Sequence, residues 1–312
     1  MSIPTADLAD YISNDPNRKK AFIELLGRAY EEVGFVAVKN HGIPDEIIVD
    51  LYKYVQRFFS LPLELKKKYE IPGMAGQRGY TSFGKEHAKG SEAPDLKEFF
   101  QYGQLLNDTF KNGYPPNVIV DMLPGFNDTF DSAFRAFEKS GTLLLRAIAV
   151  YLGLDEYYFD EYVQNGNSIL RSIHYPPIIY EPKSAIRAEE HEDINLITLL
   201  VGASADGLEI LTRQNEWVPV TSLPDQIVVN VGDMLQRLTN NKLRSTTHRV
   251  VNPKREFWHT SRFSIPFFLH PKGSMSLKCL ENCIDANHPE AYEEATAGEY
   301  LEERLIEIGL KK

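Results

Sequence analysis

Residues 187–200 read Arg187-Ala188-Glu189-Glu190-His191-Glu192-Asp193-Ile194-Asn195-Leu196-Ile197-Thr198-Leu199-Leu200, and the second half of this run is apolar and β-branched, the composition of a strand. Residues two apart on a strand point to the same face, so His191 and Asp193 project together while Glu192 turns away. An imidazole beside a carboxylate makes two arms of a metal site, and two arms hold a metal poorly. A third arm is offered by His248, within the β-rich run Ser245-Thr246-Thr247-His248-Arg249-Val250-Val251. Two neutral imidazoles and one carboxylate form a facial triad that suits Fe(II) and leaves positions open.

Fourteen residues after His248 comes Arg262-Phe263-Ser264, where Arg262 and Ser264 share a strand face and Phe263 takes the other. A guanidinium and a hydroxyl side by side suit a carboxylate, through a bidentate fork and one further hydrogen bond. In this order and spacing the residues resemble the 2-oxoglutarate- and Fe(II)-dependent dioxygenases, and more narrowly the branch that contains isopenicillin N synthase and the plant flavonoid and gibberellin oxygenases. The connecting text is similar to that branch as well: Gly207-Leu208-Glu209-Ile210-Leu211, Trp217-Val218-Pro219-Val220, Val228-Val229-Asn230-Val231-Gly232-Asp233 and His248-Arg249-Val250-Val251-Asn252-Pro253. It extends to the N-terminal half, through Asn40-His41-Gly42-Ile43 and Phe58-Phe59-Ser60-Leu61-Pro62.

The resemblance implies Fe(II) at His191, Asp193 and His248, with 2-oxoglutarate as co-substrate and O₂ as oxidant. Arg262 and Ser264 would then anchor the far carboxylate of 2-oxoglutarate. In the plant branch an Asn-Tyr-Tyr-Pro motif precedes the metal strand, and its second tyrosine helps bind the co-substrate. Aligned on the proline, this chain reads Ile173-His174-Tyr175-Pro176, so Tyr175 fits that role while Ile173 and His174 depart from the pattern. Strand parity puts His174 opposite Tyr175, as a structural histidine. The chemistry asks no acid–base pair of the protein, and no general base is assigned.

Composition bounds the alternatives. The chain has 312 residues, 43% of them hydrophobic, enough for a sizeable core, and a net charge of −10 that disfavours capture of nucleic acid or an anionic membrane. Cys279 and Cys283 have no second pair with which to complete a zinc site and read as reduced thiols. The N-terminal residues lack a secretory pattern and no apolar run reaches the roughly twenty residues of a membrane span, so a soluble cytoplasmic protein is expected. Oligomeric state is not legible.

Along the chain, Asp15-Pro16 opens a helix that Gly34 stops, Phe35–Val38 is a short strand, and a second helix runs from about Pro44 to before Pro62. Residues 71–113 are rich in glycine and loop signals. Arg78, Tyr80 and Phe83 there, with Glu189 by its parity with His191, are the candidate substrate contacts; His87 is a further loop histidine. Asp95-Leu96-Lys97-Glu98-Phe99-Phe100 is expected to pair with the core. A long helix after Pro124 carries the stripe Phe130, Phe134, Phe137, Gly141, Leu144, Leu145, Ile148 and Leu152. Short strands and turns follow from Ser168 to Leu269, and a C-terminal helix is expected from His288 through Ile308. His259 and His270 lack partners at useful spacing, and Asp233 is read as a turn residue without a catalytic part.

The expected architecture is α+β: a double-stranded β-helix, or jelly roll, flanked by an N-terminal helical region, the long packing helix and the C-terminal helix. Residues 1–312 are read as one oxygenase domain, with an N-terminal region at 1–115, a catalytic core at 116–280 and the C-terminal helix at 281–312. The expected function is dioxygenation of a small organic substrate by hydroxylation or desaturation, with release of succinate and CO₂. Two alternatives stand beside it: an Fe(II) oxidase of the isopenicillin N synthase type that does not consume 2-oxoglutarate, and an inactive jelly roll that only binds a ligand.

Overall fold

The computed structural model describes residues 3–74, 76–85, 95–105, 114–182, 185–202, 206–221, 223–307 and 310. Among them the strands are β1 (Thr5–Asp7), β2 (Phe35–Lys39), β3 (Gly79–Thr81), β4 (Glu98–Gly103), β5 (Ile169–Tyr175), β6 (Ala188–His191), β7 (Ile197–Val201), β8 (Leu208–Leu211), β9 (Trp217–Pro219), β10 (Gln226–Val231), β11 (His248–Val250) and β12 (Arg262–Leu269). The helices are α1 (Leu8–Tyr11), α2 (Pro16–Glu32), α3 (Asp45–Phe59), α4 (Leu63–Lys66), α5 (Phe126–Tyr151), α6 (Asp160–Val163), α7 (Asp233–Leu238) and α8 (Ala297–Glu307). No helix among the described residues is long and apolar enough to cross a membrane.

Two sheets form a jelly-roll core. The larger runs β1-β2-β10-β7-β12-β5-β4-β3 and the smaller β6-β11-β8-β9, with every pairing antiparallel except β1 on β2. The period-2 pattern decides which side chain goes where. On β12, Ile265, Phe267 and Leu269 enter the main apolar core, whereas Arg262, Ser264, Pro266 and Phe268 line a cleft between the sheets. On β7, Ile197, Leu199 and Val201 join the core while Thr198 and Leu200 face the cleft. On β10, Ile227, Val229 and Val231 go to the core and Asn230 to the cleft.

Helix α5 covers the core side of the large sheet. Its stripe is buried as the spacing predicts, and Phe134 and Phe137 pack on Phe267 of β12 at centroid separations of 5.1 and 5.5 Å. Each such aromatic contributes roughly 1.5–3 kcal/mol by leaving water. A Cβ on Gly141 would lie 2.8 Å from a Leu269 methyl, so a small residue lets helix and sheet meet there. Capping also follows the sequence at α2, where the Asp15 carboxylate accepts from the Asn17 and Arg18 amides.

Two boundaries differ from expectation. The strand alternation expected to carry both His191 and Asp193 is broken: β6 stops at His191 and β7 starts at Ile197, so Asp193 sits in the turn between them. His191 and Asp193 therefore converge through a turn rather than through strand alternation. The C-terminal helix starts at Ala297, not near His288, because Thr296 and Glu299 form a reciprocal cap: Thr296 N and Oγ1 both donate to Glu299 Oε2, and Glu299 N donates to Thr296 Oγ1. The Thr-x-x-Glu signature was present in the sequence and would have fixed this start.

A buried polar hub ties the N-terminal helices to the core. Glu98 of β4 is paired with Lys66 at 2.7 Å, accepts from the Tyr80 hydroxyl, and lies 2.7 Å from His174 Nδ1. His174 Nε2 meets Ser261 Oγ at 3.0 Å, and Phe263 stacks on the imidazole at 4.8 Å. His174 is thus the satisfied structural histidine that its parity implied. Although burial works to raise the Glu98 pKa, its bonds to His174, Lys66 and Tyr80 hold it below the usual value of 4.5. Glu98→Ala leaves the Lys66 ammonium buried and unpaired, and is expected to cost about 3–5 kcal/mol in urea unfolding at neutral pH. Because the folded pKa is depressed, the stabilisation is present above the unfolded value and disappears as pH falls through the folded one. The gap between wild type and variant should therefore narrow below about pH 4.5.

Candidate active site

The open end of the cleft gathers His191, Asp193 and His248, each offering one ligand atom, with these atoms all within 4.8 Å of one another. Strand pairing sets two of them face to face, since His248 of β11 is the register partner of His191 of β6. Their rings lie 4.4 Å apart, and Phe35 meets His248 edge-on at 5.6 Å. His191 Nδ1 is 2.6 Å from the Glu189 carbonyl and His248 Nδ1 is 3.1 Å from the Thr246 carbonyl. A carbonyl only accepts, so each Nδ1 carries the proton and each Nε2 turns a lone pair inward.

Asp193 is held from behind. Its Oδ2 accepts from Thr198 Oγ1 at 2.6 Å and from Asn230 Nδ2 at 2.8 Å, while Oδ1 lies 3.6 Å from His248 Nε2. Burial would raise its pKa, but His248, His191 and the two hydrogen bonds outweigh it and keep the carboxylate ionised. Burial, and after it the neighbouring His248, push His191 down to about 4, so this imidazole is neutral at physiological pH. Two imidazoles whose Nδ1 atoms face carbonyls, leaving both Nε2 atoms for a metal, and one ionised oxygen are a donor set that fits a divalent Fe(II).

Deeper in the same cleft are Arg262, Ser264 and Tyr175. Tyr175 of β5 is the register partner of Arg262 and Ile173 that of Ser264. The Arg262 guanidinium sits 5.0 Å from the centre of the Tyr175 ring. All three polar residues are buried, at 2%, 4% and 2% exposure for Arg262, Ser264 and Tyr175, so an anion bound there would be largely desolvated and its hydrogen bonds strong.

Outward from His191, Asp193 and His248 the cleft opens into a cavity of about 440 Å³. Arg171, Lys97, His191, Asp193 and Phe268 line both spaces, so the two meet at the His–Asp–His set. Arg171 is held over the rings of Phe99 and Phe268 at 4.4 and 5.2 Å, and Lys97 is paired with Asp95 at 2.8 Å. Helix α8 supplies the outer wall through Tyr300, Leu301, Arg304 and Leu305, and the Tyr300 hydroxyl donates to Asp233 Oδ2 at 2.8 Å. Burial raises the Asp233 pKa to about 7. His270 also reaches this wall, with Nδ1 3.2 Å from the Phe268 carbonyl, and burial lowers its pKa to about 4.

The residues expected to touch a substrate lie elsewhere. Arg78 is 1% exposed and donates to the Gln77 carbonyl and to Asn167 Oδ1, while Tyr80 belongs to the Glu98 hub. The reason is that Gly79–Thr81 forms β3 on β4 instead of a loop over the site. Phe83 is 48% exposed and lines neither cavity. Because the strand breaks after His191, Glu190 and Glu192 line the outer cavity rather than Glu189. His259 is exposed, and His87 lies outside the described residues. Sequence reasoning missed Arg171, although its parity with Ile173 and Tyr175 marks it as cleft-facing. It missed Asn230 too, whose signal was an amide inside the apolar run Val228–Val231.

Comparison with known proteins bears on this geometry. Residues 166–271 match the 2OG-Fe(II) oxygenase superfamily, and residues 3–121 match the N-terminal family described as non-haem dioxygenase in morphine synthesis. The chain is 35% identical to the proline hydroxylase buaE of Petromyces alliaceus over 98% of this chain and 99% of that one. A candidate 2OG-Fe(II) oxygenase family protein from Caulobacter crescentus superposes with a TM-score of 0.88 at 40% identity, covering 98% of this chain and 99% of the other. A full-length Neurospora crassa protein, solved in complex with α-ketoglutarate, gives a TM-score of 0.87 at 30% identity, with 97% and 95% covered.

Proposed function

This chain belongs to the 2OG-Fe(II) oxygenase superfamily and is a non-haem Fe(II)- and 2-oxoglutarate-dependent dioxygenase, and on that premise we propose which of its residues carry the reaction. His191, Asp193 and His248 hold Fe(II). Arg262, Ser264 and Tyr175 bind the far carboxylate of 2-oxoglutarate. The outer cavity takes the organic substrate. The observation that carries this assignment is that His191, Asp193 and His248 share one cleft with the buried Arg262, Ser264 and Tyr175, and that this cleft opens at the His–Asp–His end into a second chamber.

Fe(II) bound there supplies the oxidising chemistry, consuming O₂ as 2-oxoglutarate is converted to succinate and CO₂. The protein's own work is positioning. The Glu189 and Thr246 carbonyls lock the imidazole tautomers, and Thr198 with Asn230 holds Asp193 Oδ2, leaving Oδ1 as the oxygen that would bind the metal. Arg262 presents its fork, and Ser264 and Tyr175 satisfy further acceptor sites of the same carboxylate. Ile173, Leu200, Leu208 and Val250 wall the cleft with apolar side chains that keep water from the anchored co-substrate. No general base is needed.

A volume of about 440 Å³ with a lining of mixed charge suits a small polar molecule. A relative named as a proline hydroxylase, and the Neurospora crassa protein solved also with thymine, point to the same size class. The net charge of −10 argues for such a substrate over nucleic acid or an anionic membrane, and the reading is of a cytoplasmic enzyme. Residues 1–115, 116–280 and 281–312 act in it as one oxygenase domain, because β1–β4 extend the core sheet and α8 closes the substrate chamber.

The deciding assay is oxygen uptake by iron-loaded protein over a panel of free amino acids, nucleobases and related ring compounds, with and without 2-oxoglutarate. Uptake that requires 2-oxoglutarate and releases one succinate per oxygen is expected. Equal uptake without 2-oxoglutarate, and no succinate, would favour the oxidase alternative.

A further inference from the structure

Three of the largest fully buried side chains in the protein are arginines, and two of them, Arg187 and Arg262, converge on Tyr175. The Arg187 guanidinium lies 5.9 Å from the centre of the Tyr175 ring and that of Arg262 5.0 Å. Arg187 is 2% exposed. Its Nη2 donates to the Thr260 carbonyl at 3.2 Å, two residues before Arg262, and its Nε has no hydrogen-bond partner among the described residues. No carboxylate among the described residues pairs with it. Arg78, buried to a similar degree, donates to the Gln77 carbonyl and to Asn167 Oδ1 and likewise leaves its Nε without a partner among the described residues, but no second guanidinium among them bears on it.

A buried cation without a counter-charge is expensive, and a second cation beside it makes it more so. Burial and then Arg262 push the Arg187 pKa down to about 10, the direction expected of two guanidiniums in one low-dielectric region. A carboxylate bound nearby would offset part of that cost. Of these two cations only Arg262 lines the cleft, together with Tyr175, and the one acid in that lining, Asp193, belongs to the His–Asp–His set.

We propose that Arg187 is a positioning residue for the far carboxylate of the co-substrate: it adds a second positive charge behind Tyr175, and through the Thr260 carbonyl it fixes the start of β12 that carries Arg262. The inference rests on the co-substrate site proposed above. Arg187 does not itself line the cleft, so it acts through Tyr175 and Arg262 rather than by touching the ligand. It makes this anchor selective for a 2-oxo acid with a charged far end over one with an apolar far end. It also leaves the ligand-free protein with a buried charge that the bound diacid helps to relieve.

The test compares wild type, Arg187→Met and Arg187→Lys, each loaded anaerobically with Mn(II) in place of iron. Affinities for 2-oxoglutarate and for 2-oxopentanoate, which has a methyl in place of the far carboxylate, are measured by calorimetry, and Tm is measured with and without each ligand. Arg187→Met should weaken 2-oxoglutarate by roughly five- to twentyfold and leave 2-oxopentanoate within about twofold. Its ligand-free Tm should rise, while the Tm gain from 2-oxoglutarate shrinks. Arg187→Lys should restore most of the preference. An unchanged ratio of the two affinities in Arg187→Met, or equal weakening of both ligands with a lower ligand-free Tm, makes Arg187 merely structural and overturns the proposal. Failure of wild type to bind 2-oxoglutarate at all would remove the co-substrate site itself, and this inference with it.

Discussion

Asp193→Ala is expected to abolish stoichiometric Fe(II) binding, and with it 2-oxoglutarate turnover. Two imidazoles would remain, with no negative oxygen to offset the charge of a divalent ion. Loss of a partner that merely orients a ligand costs roughly 10–100-fold in metal affinity. Removing the only anionic ligand of the three should exceed that range. The comparison is built into the site, because Asn230 donates to Asp193 Oδ2 without reaching the inward oxygen. Asn230→Ala should therefore lose about 10–100-fold and still load with metal, whereas Asp193→Ala should not. Anaerobic titration with Fe(II), or with Mn(II) as a redox-inert probe, distinguishes them. One equivalent of metal bound by Asp193→Ala at wild-type affinity would show that the metal site lies elsewhere.

The apo protein of the same variant gives a second readout. Asp193 is ionised and held by Thr198 and Asn230, so its removal strands a hydroxyl and an amide in a buried site, at a cost of about 1–3 kcal/mol. Fe(II) or Mn(II) should raise the Tm of wild type and leave that of the variant where it is, since only a ligand that binds the folded state stabilises it.

Why so much of this site could be read from the chain, and where reading stopped, has a physical basis. Strand alternation carries most of it. Once residues 262–269 are taken as a strand, Arg262 and Ser264 must share a face, and the large sheet puts that face on the cleft while Phe267 and Leu269 meet α5. The same rule put His174 opposite Tyr175, where it pairs with Glu98. Alternation failed where the backbone left the strand. Asp193 is delivered by a turn in which its own carbonyl accepts from the Asp233 amide, and nothing local in His191-Glu192-Asp193 distinguishes a turn from two more strand residues. The substrate contacts were misjudged for a different reason. Glycines at 79 and 84 suggested a loop over the site, but the short strand Gly79–Thr81 is made by pairing with β4, a long-range contact that local composition does not encode. The outer wall from α8 is likewise long-range: Tyr300 meets Asp233 across 67 positions of sequence. Arg187 was quoted at the head of the decisive stretch, yet its meaning lay in burial without a counter-charge, which only a three-dimensional neighbourhood reveals.

The anchor supplies the second large effect. Arg262→Ala is expected to weaken 2-oxoglutarate binding by about 2–4 kcal/mol, roughly 30- to 1,000-fold, while leaving metal affinity intact. The size follows from burial. At 2% exposure the guanidinium meets its carboxylate with little competing water, so two parallel charge-assisted bonds are lost together. Ser264 and Tyr175 remain, but neither carries charge, and Arg187 stands behind the ring rather than in the cleft. Arg262→Lys should recover only part of the loss, since one ammonium cannot reproduce a planar fork and its shorter reach must still cross to the line of Ser264. Metal binding should not follow, because Arg262 lies at the deep end of the cleft and makes no hydrogen bond to His191, Asp193 or His248 in the contacts that orient them. Calorimetric titration of 2-oxoglutarate into Mn(II)-loaded Arg262→Ala measures the effect directly. Wild-type affinity in a variant that still binds one equivalent of metal would mean that the far carboxylate is held by another cation, and Arg171, which lines both cavities, would be the first to examine.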